Sequence, residues 1–196
     1  MRAGIRDNFY RSVQIVRNNR KYCYFVLLTL FSCSLIGFMI PGIGKEMQDQ
    51  IIDSLVSGIS DKNLFQIILF IIFTNLKSSL LGIIFGVFFG IFPVFAAAIN
   101  GYFLGAVLNG AIEKSTPYIL WKILPHGIFE IPAICIAYGL GLRIGLSLFR
   151  KNRMKNIVIS YKEAILVFFF IILPLLLLAG TIEGLLFHIF KELSIA

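Results

Sequence analysis

Charge is what this chain lacks most. Only 14% of its 196 residues are Asp, Glu, Lys or Arg, against 58% hydrophobic, and the mean hydropathy is +0.89. A soluble domain of this size could not hide so much apolar surface, because more than half of its residues would have to enter the core. The composition implies one integral membrane domain over residues 1–196, with no soluble segment long enough to fold separately. Cysteine is scarce and unpatterned. Cys23, Cys33 and Cys135 are odd in number and lack CxxC spacing, which predicts reduced, buried thiols and no cysteine-bound metal.

Enzyme signatures are missing as well. There is no HExxH, no GxSxG, no serine beside a histidine and no P-loop glycine pattern, so neither a hydrolase nor direct ATP use is expected. His126 and Glu130 form a His-x-x-x-Glu pair, two ligands where a zinc site ordinarily has three protein groups and a water. The expectation is a protein without catalysis, cofactor or metal. The net charge of +8 does not point to nucleic acid either, because the cations stand beside apolar runs, where they read as lipid-facing and topogenic.

What the chain does have is long apolar runs. Tyr22 to Ile40 matches the roughly 30 Å hydrocarbon core at 1.5 Å per residue. Leu64 to Ile112 is too long for one crossing and contains Pro93, which disfavours helix at the residue before it; we divide it into Leu64–Gly90 and Pro93–Ile112 with a very short turn. Ile123–Phe149 and Ala164–Phe190 complete five spans in residues 22–190, with a kink at Pro174 in the last. The fold class is all-α, a polytopic membrane helix bundle.

Basic residues set the orientation. Arg2, Arg6, Arg11, Arg17, Arg20 and Lys21 precede the first span, and Arg150, Lys151, Arg153, Lys155 and Lys162 lie between the fourth and fifth. The positive-inside rule places both groups in the cytoplasm, so the N-terminus is inside and the C-terminus outside a plasma membrane. The loop from Pro41 to Asn63 then faces outward and is short. Within residues 1–21, Ile5, Phe9, Val13 and Val16 make an apolar stripe among arginines, the pattern of an amphipathic helix on the inner leaflet.

Glycines recur four apart: Gly82, Gly86 and Gly90, then Gly101 and Gly105, Gly141 and Gly145, Gly180 and Gly184. Such spacing makes a groove that lets helix backbones approach, so a tight bundle follows. It says nothing about chemistry, and it leaves a homo-oligomer open.

Polar residues inside the spans carry the functional question. Asn75, Lys77, Asn100, His126, Glu130, Thr181 and Glu183 all fall within apolar runs, where each ionisable group costs about 2.5 kcal/mol or more at the bilayer centre. Lys77 needs a counter-charge, with Glu130 or Glu183 the obvious partner. The most informative stretch is PHGIFEIPA, Pro125 to Ala133, where His126 and Glu130 stand one helical turn apart between Pro125 and Pro132, with Gly127 between them. Two prolines predict a broken helix here, with freed carbonyls and the polar residues of several helices gathered around one site. That cluster reads either as a structural knot fixing helix register or as a substrate pathway of the kind broken helices line in transporters.

Asn75, Asn100-Gly101 with Gly105, PHGIFEIPA and LPLLLLAGTIEG (Leu173 to Gly184) together resemble the stage II sporulation protein M family of membrane proteins, over most of the chain. The resemblance carries over to Asn100, Gly101, Pro125, His126, Gly127, Glu130 and Glu183. In endospore formers it implies a scaffold that recruits a peptidoglycan hydrolase pair; many relatives occur where no spores form. The expectation is a non-enzymatic scaffold for other membrane or cell-surface proteins, with a small transporter or permease subunit as the alternative.

Overall fold

The computed structural model describes residues 4–42, 63–113 and 118–193, and the side chains of residues 111, 113, 118–126 and 187–193 lie outside that description. The expected outer loop therefore falls almost wholly outside the described residues. The described residues are almost entirely helical: α1 (Ile5–Asn18), α2 (Arg20–Met39), α3 (Leu64–Ile84), α4 (Ile91–Glu113), α5 (Tyr118–Leu146), α6 (Arg153–Val167) and α7 (Leu173–Leu193). A π-turn at Phe168–Ile172 joins α6 to α7, so the last two form one rod. Five helical segments are long and apolar enough to cross a membrane.

Each boundary has a local cause. Asn63 caps α3 by accepting from the Gln66 amide at 3.0 Å, while its own amide donates to Gln66 Oε1 at 3.2 Å, a reciprocal capping box that satisfies two orphan donors. The α3–α4 hairpin turns at Phe89 and Gly90, with φ of 54° and 73°. Glycine takes this left-handed region freely, whereas phenylalanine does so at a cost of about 1–2 kcal/mol. The Phe89 ring packs against Phe149 at 5.7 Å, which helps hold the turn. The break thus precedes Pro93, which becomes the third residue of α4, where its missing amide would have lacked a helical partner anyway.

The helix α5 is the hub. Two thirds of its apolar window, 67%, is buried inside the protein, against 22–33% for the other four spans, and it packs on α2, α3, α4, α6 and α7. Its glycines make this geometry available. A Cβ on Gly141 would strike the carbonyls of α3 at Gly82, one on Gly145 would strike Gly86 and Gly90, and one on Gly139 would meet Cys23 of α2. The pair α2–α4 is built the same way, with Gly37 against Tyr102, Gly101 against Leu30 and Gly105 against Ser34. On the other flank, Gly180 and Gly184 of α7 lie on Ile72 and Ile68 of α3.

Two expectations change. The helix is not broken at PHGIFEIPA: α5 runs from Tyr118 to Leu146 through Pro125, Gly127 and Pro132. A proline removes one donor and crowds one carbonyl, but membrane helices absorb this where neighbours fix the axis. Here Pro132 is exposed and the turns that follow it are almost entirely buried, from Ala133 to Ser147. The irregularity expected in the last span is present: a π-turn ends two residues before Pro174. Widening the turn there relieves the clash between the Pro174 ring and the carbonyl of Phe170. The same span also starts earlier than Ala164. The rod begins at Arg153 and places Arg153, Lys155 and Lys162 on helix, with Ile157, Ser160, Ala164 and Val167 as its buried stripe.

The first helix α1 docks on α6 and the π-turn through a face other than the expected stripe. Ser12 and Ile15 are buried, with Ser12 Oγ donating to the Asn8 carbonyl at 2.9 Å and lying 3.4 Å from that of Leu166. Ile5, Phe9 and Val13 stay exposed.

The glycine contacts generate a paired test. Gly141→Ala should lower the thermal midpoint of the detergent-solubilised protein by an amount corresponding to about 1–3 kcal/mol, as overpacking does. Gly110→Ala, with nothing within 4 Å of the added methyl, should leave it unchanged or slightly raised. Equal losses in the two variants would show that backbone approach at α5 is not what sets stability.

Candidate functional site

Three residues on three helices meet at one depth. Ser78 lies ten residues before the α3–α4 turn, Asn100 ten after it, and Tyr138 eleven before Phe149. At 1.5 Å per residue, each sits roughly 15 Å from the same end of the bundle, near the middle of a hydrocarbon layer of roughly 30 Å. Tyr138 is 1% exposed. Its hydroxyl is 2.6 Å from Ser78 Oγ and accepts from Asn100 Nδ2 at 3.2 Å. The phenol oxygen thus has two partners on two other helices, Asn100 as donor and Ser78 in a hydroxyl–hydroxyl bond. The ring occupies the space a side chain at position 82 would take, because a Cβ on Gly82 would strike it. Beside the knot, the buried Ser79 Oγ has no hydrogen-bond partner among the described residues.

The expected six-residue cluster is only partly assembled. Asn100 belongs to the knot but is itself exposed on its outer side, and Asn75 is half-buried. Lys77 is exposed and makes no ion pair with Glu130 or Glu183 among the described residues. Register explains this. Gly180 on Ile72 and Gly184 on Ile68 set α7 antiparallel to α3, so Glu183 is level with about residue 69, two turns or roughly 12 Å from Lys77. Glu130 lies eight residues from Tyr138 along α5, again about 12 Å away along the axis. Both glutamates are half-buried and occupy a second level toward the far end. The side chains of Pro125 and His126 lie outside the described residues, and so does any meeting of His126 with Glu130. Among the described residues no group of three His, Cys, Asp or Glu side chains is placed to hold a metal.

Sequence reasoning missed Tyr138 and Ser78. A tyrosine in an apolar span reads as core, yet its hydroxyl needs a partner once buried, and the flanking Gly139 and Gly141 signal a crowded interface. It also missed a polar layer at the basic end of the bundle. Arg143 of α5 pairs with Glu163 of α6, their side chains 15% and 24% exposed. One turn on, Ser147 Oγ donates to the Arg143 carbonyl at 2.8 Å and lies 3.3 Å from Ser160 Oγ. Arg150 donates to the Tyr22 hydroxyl at 3.1 Å, and Asn19 Nδ2 donates to the Ile15 carbonyl at 2.7 Å, fixing the α1–α2 corner. These bonds tie α1, α2, α5 and α6 together where the spans end.

Comparison with known proteins gives a consistent picture. The pattern of the family described as Stage II sporulation protein M matches residues 22–186, which includes all five spans apart from a few terminal residues. An uncharacterized protein of Methanocaldococcus jannaschii is 33% identical over 123 residues, 59% of this chain and 55% of that protein. The chain thus matches about half the length of that relative. No solved structure matches it.

The knot predicts a coupling. Tyr138→Phe should cost about 0.5–1.5 kcal/mol, the net worth of an ordinary hydrogen bond, and Ser78→Ala a similar amount. Thermal unfolding of the double variant should show less than the sum, since both remove one interaction. Strict additivity would mean that the 2.6 Å contact contributes nothing to stability.

Proposed function

The chain belongs to the Stage II sporulation protein M family, and from that premise we propose a non-enzymatic membrane scaffold, one that holds partner proteins in or at the plasma membrane. The observation that carries the reading is how the bundle uses its mid-depth polar groups. Tyr138 is closed off between Ser78 and Asn100, so these groups lock three helices to one another. A rigid assembly suits a platform; a solute pathway needs polar groups left to meet the solute. The cations on the Arg150–Lys162 side and those up to Lys21 support a cytoplasmic N-terminus by the positive-inside rule. The exposed Ile5, Phe9 and Val13 of α1, with Arg6 and Arg17 on the same helix, suit contact with the inner leaflet or with an apolar partner beside it.

A second reading rests on a specific observation. Lys77 and Asn100 are exposed at mid-span, and polar groups at that depth commonly face a water-filled path. A small transporter or permease subunit would use them so. The two readings separate in one experiment on native membranes. Chemical cross-linking followed by purification of wild type and of Lys77→Leu with Asn100→Leu should recover the same partner proteins from both if the chain is a scaffold. In a cysteine-free background, Asn100→Cys should then react slowly with a membrane-impermeant maleimide. Fast labelling at position 100, with no partners recovered from wild type, sinks the scaffold reading and favours transport.

A further inference from the structure

The polar layer at the basic end lines a half-open cavity of about 240 Å³ whose wall includes Asn19, Lys21, Tyr22, Arg143, Arg150 and Glu163. That is below the roughly 300–1,000 Å³ of sites that enclose a drug-sized ligand, so it suits a headgroup-sized fragment. Its charges do not cancel. Glu163 is taken up by Arg143, which leaves Lys21 and Arg150 without a carboxylate partner among the described residues. Arg150 gives one of its five N–H donors to Tyr22, and Lys21 lies 5.0 Å above the Tyr22 ring. Both cations are held in place by the same tyrosine, with donors to spare.

The position of the cavity narrows the ligand. Lys21 is the second residue of the first span, and Arg150 directly follows the fourth, the level at which lipid headgroups lie. One helical turn deeper, on the same face of α2 as Lys21, Phe25 opens a second, apolar groove of about 450 Å³, lined also by Phe89, Val94, Phe95, Ala98 and Leu142. Leu142 adjoins Arg143 in sequence, so α5 as well as α2 connects the two spaces. A basic cavity with room for a phosphoryl group, above an apolar groove with room for a chain, has the shape of one amphiphile.

We propose that this end of the bundle is a binding site for an anionic glycerophospholipid, with the phosphodiester between Lys21 and Arg150 and an acyl chain along the Phe25–Phe95 groove. Basic pockets between membrane helices on the cytoplasmic side take such headgroups. The site binds lipid whether the bundle serves as a scaffold or as a transporter, so it does not depend on the function proposed above.

The test uses the full chain purified in a neutral detergent, with native mass spectrometry and thermal unfolding in the presence of phosphatidylglycerol or phosphatidylcholine. Wild type should retain phosphatidylglycerol preferentially and gain thermal stability from it. Arg150→Gln and Lys21→Gln should each weaken retention roughly fivefold, the effect of removing one cation near an anionic membrane surface. Lys151→Gln, whose side chain is not part of the cavity, should behave as wild type. Lys21 is exposed, so its variant keeps the test valid even if Arg150→Gln does not fold. Equal retention in wild type and Lys21→Gln overturns the proposal, as does indifference between the two lipids. Inorganic phosphate or glycerol phosphate matching phosphatidylglycerol in stabilisation overturns it too, because the groove would then contribute nothing. Loss of the acyl contribution in Phe95→Ser, with the headgroup preference intact, is the result expected of a two-part site.

Discussion

Inside a bilayer, apolar side chains gain nothing by leaving lipid for protein, so helices must be held by close approach and by hydrogen bonds. In this protein, close approach comes first. Gly141 and Gly145 of α5 lie on Gly82, Gly86 and Gly90 of the α3–α4 hairpin, which puts backbone on backbone across the centre of the bundle. Dispersion contacts between so many atoms at short range are each small and together large. The long apolar runs supply length and solubility in lipid; the glycines decide which surfaces meet. Because α5 carries such contacts to two sides at once, α2 with α4 and α3 with α7 are arranged around it.

The polar groups depend on that packing. Tyr138 fits only because position 82 has no side chain, and its hydroxyl reaches both Ser78 and Asn100 only because α3 and α4 stand on either side of α5 at the same depth. A hydrogen bond between membrane helices is worth about 0.6 kcal/mol on average, too little to assemble the bundle. Its value lies in register, since sliding one helix by a turn would leave a buried hydroxyl without partners. The glycine contacts bring the helices together, and the knot fixes their heights.

Much of this was readable in the sequence. The five spans, the short turn before Pro93 and the tight packing at glycines follow from runs, spacing and length alone. PHGIFEIPA misled because the cost of a proline is a local quantity, whereas the course of α5 is set by the buried stretch from Ala133 to Ser147 and its neighbours. The Lys77 pairing failed for a related reason. Sequence shows that a lysine and two glutamates lie in spans, but which residues share a level depends on which helices pack and in what direction. The stripe Ile157, Ser160, Ala164 and Val167 has helical spacing, but the lysines around it lower the hydropathy, so an apolar-run criterion starts the last span at Ala164. Tyr138 was hidden by its type, since nothing in one sequence separates a core aromatic from one whose hydroxyl joins three helices.

Depth accounts for how the polar residues are distributed. An ion pair deep in lipid must offset the desolvation of two charges, and that cost falls steeply toward the headgroups. Arg143–Glu163, Arg150–Tyr22 and the Asn19 corner all stand within about three turns of the span ends, toward the water and headgroups that share the solvation. At mid-depth the protein uses neutral groups, a phenol, a hydroxyl and an amide, whose burial is compensated by hydrogen bonds alone. Lys77 departs from this ordering, being an exposed cation roughly 16 Å from the α3–α4 turn. Its four-carbon stem can run along the helix and carry the ammonium toward water or an anionic surface.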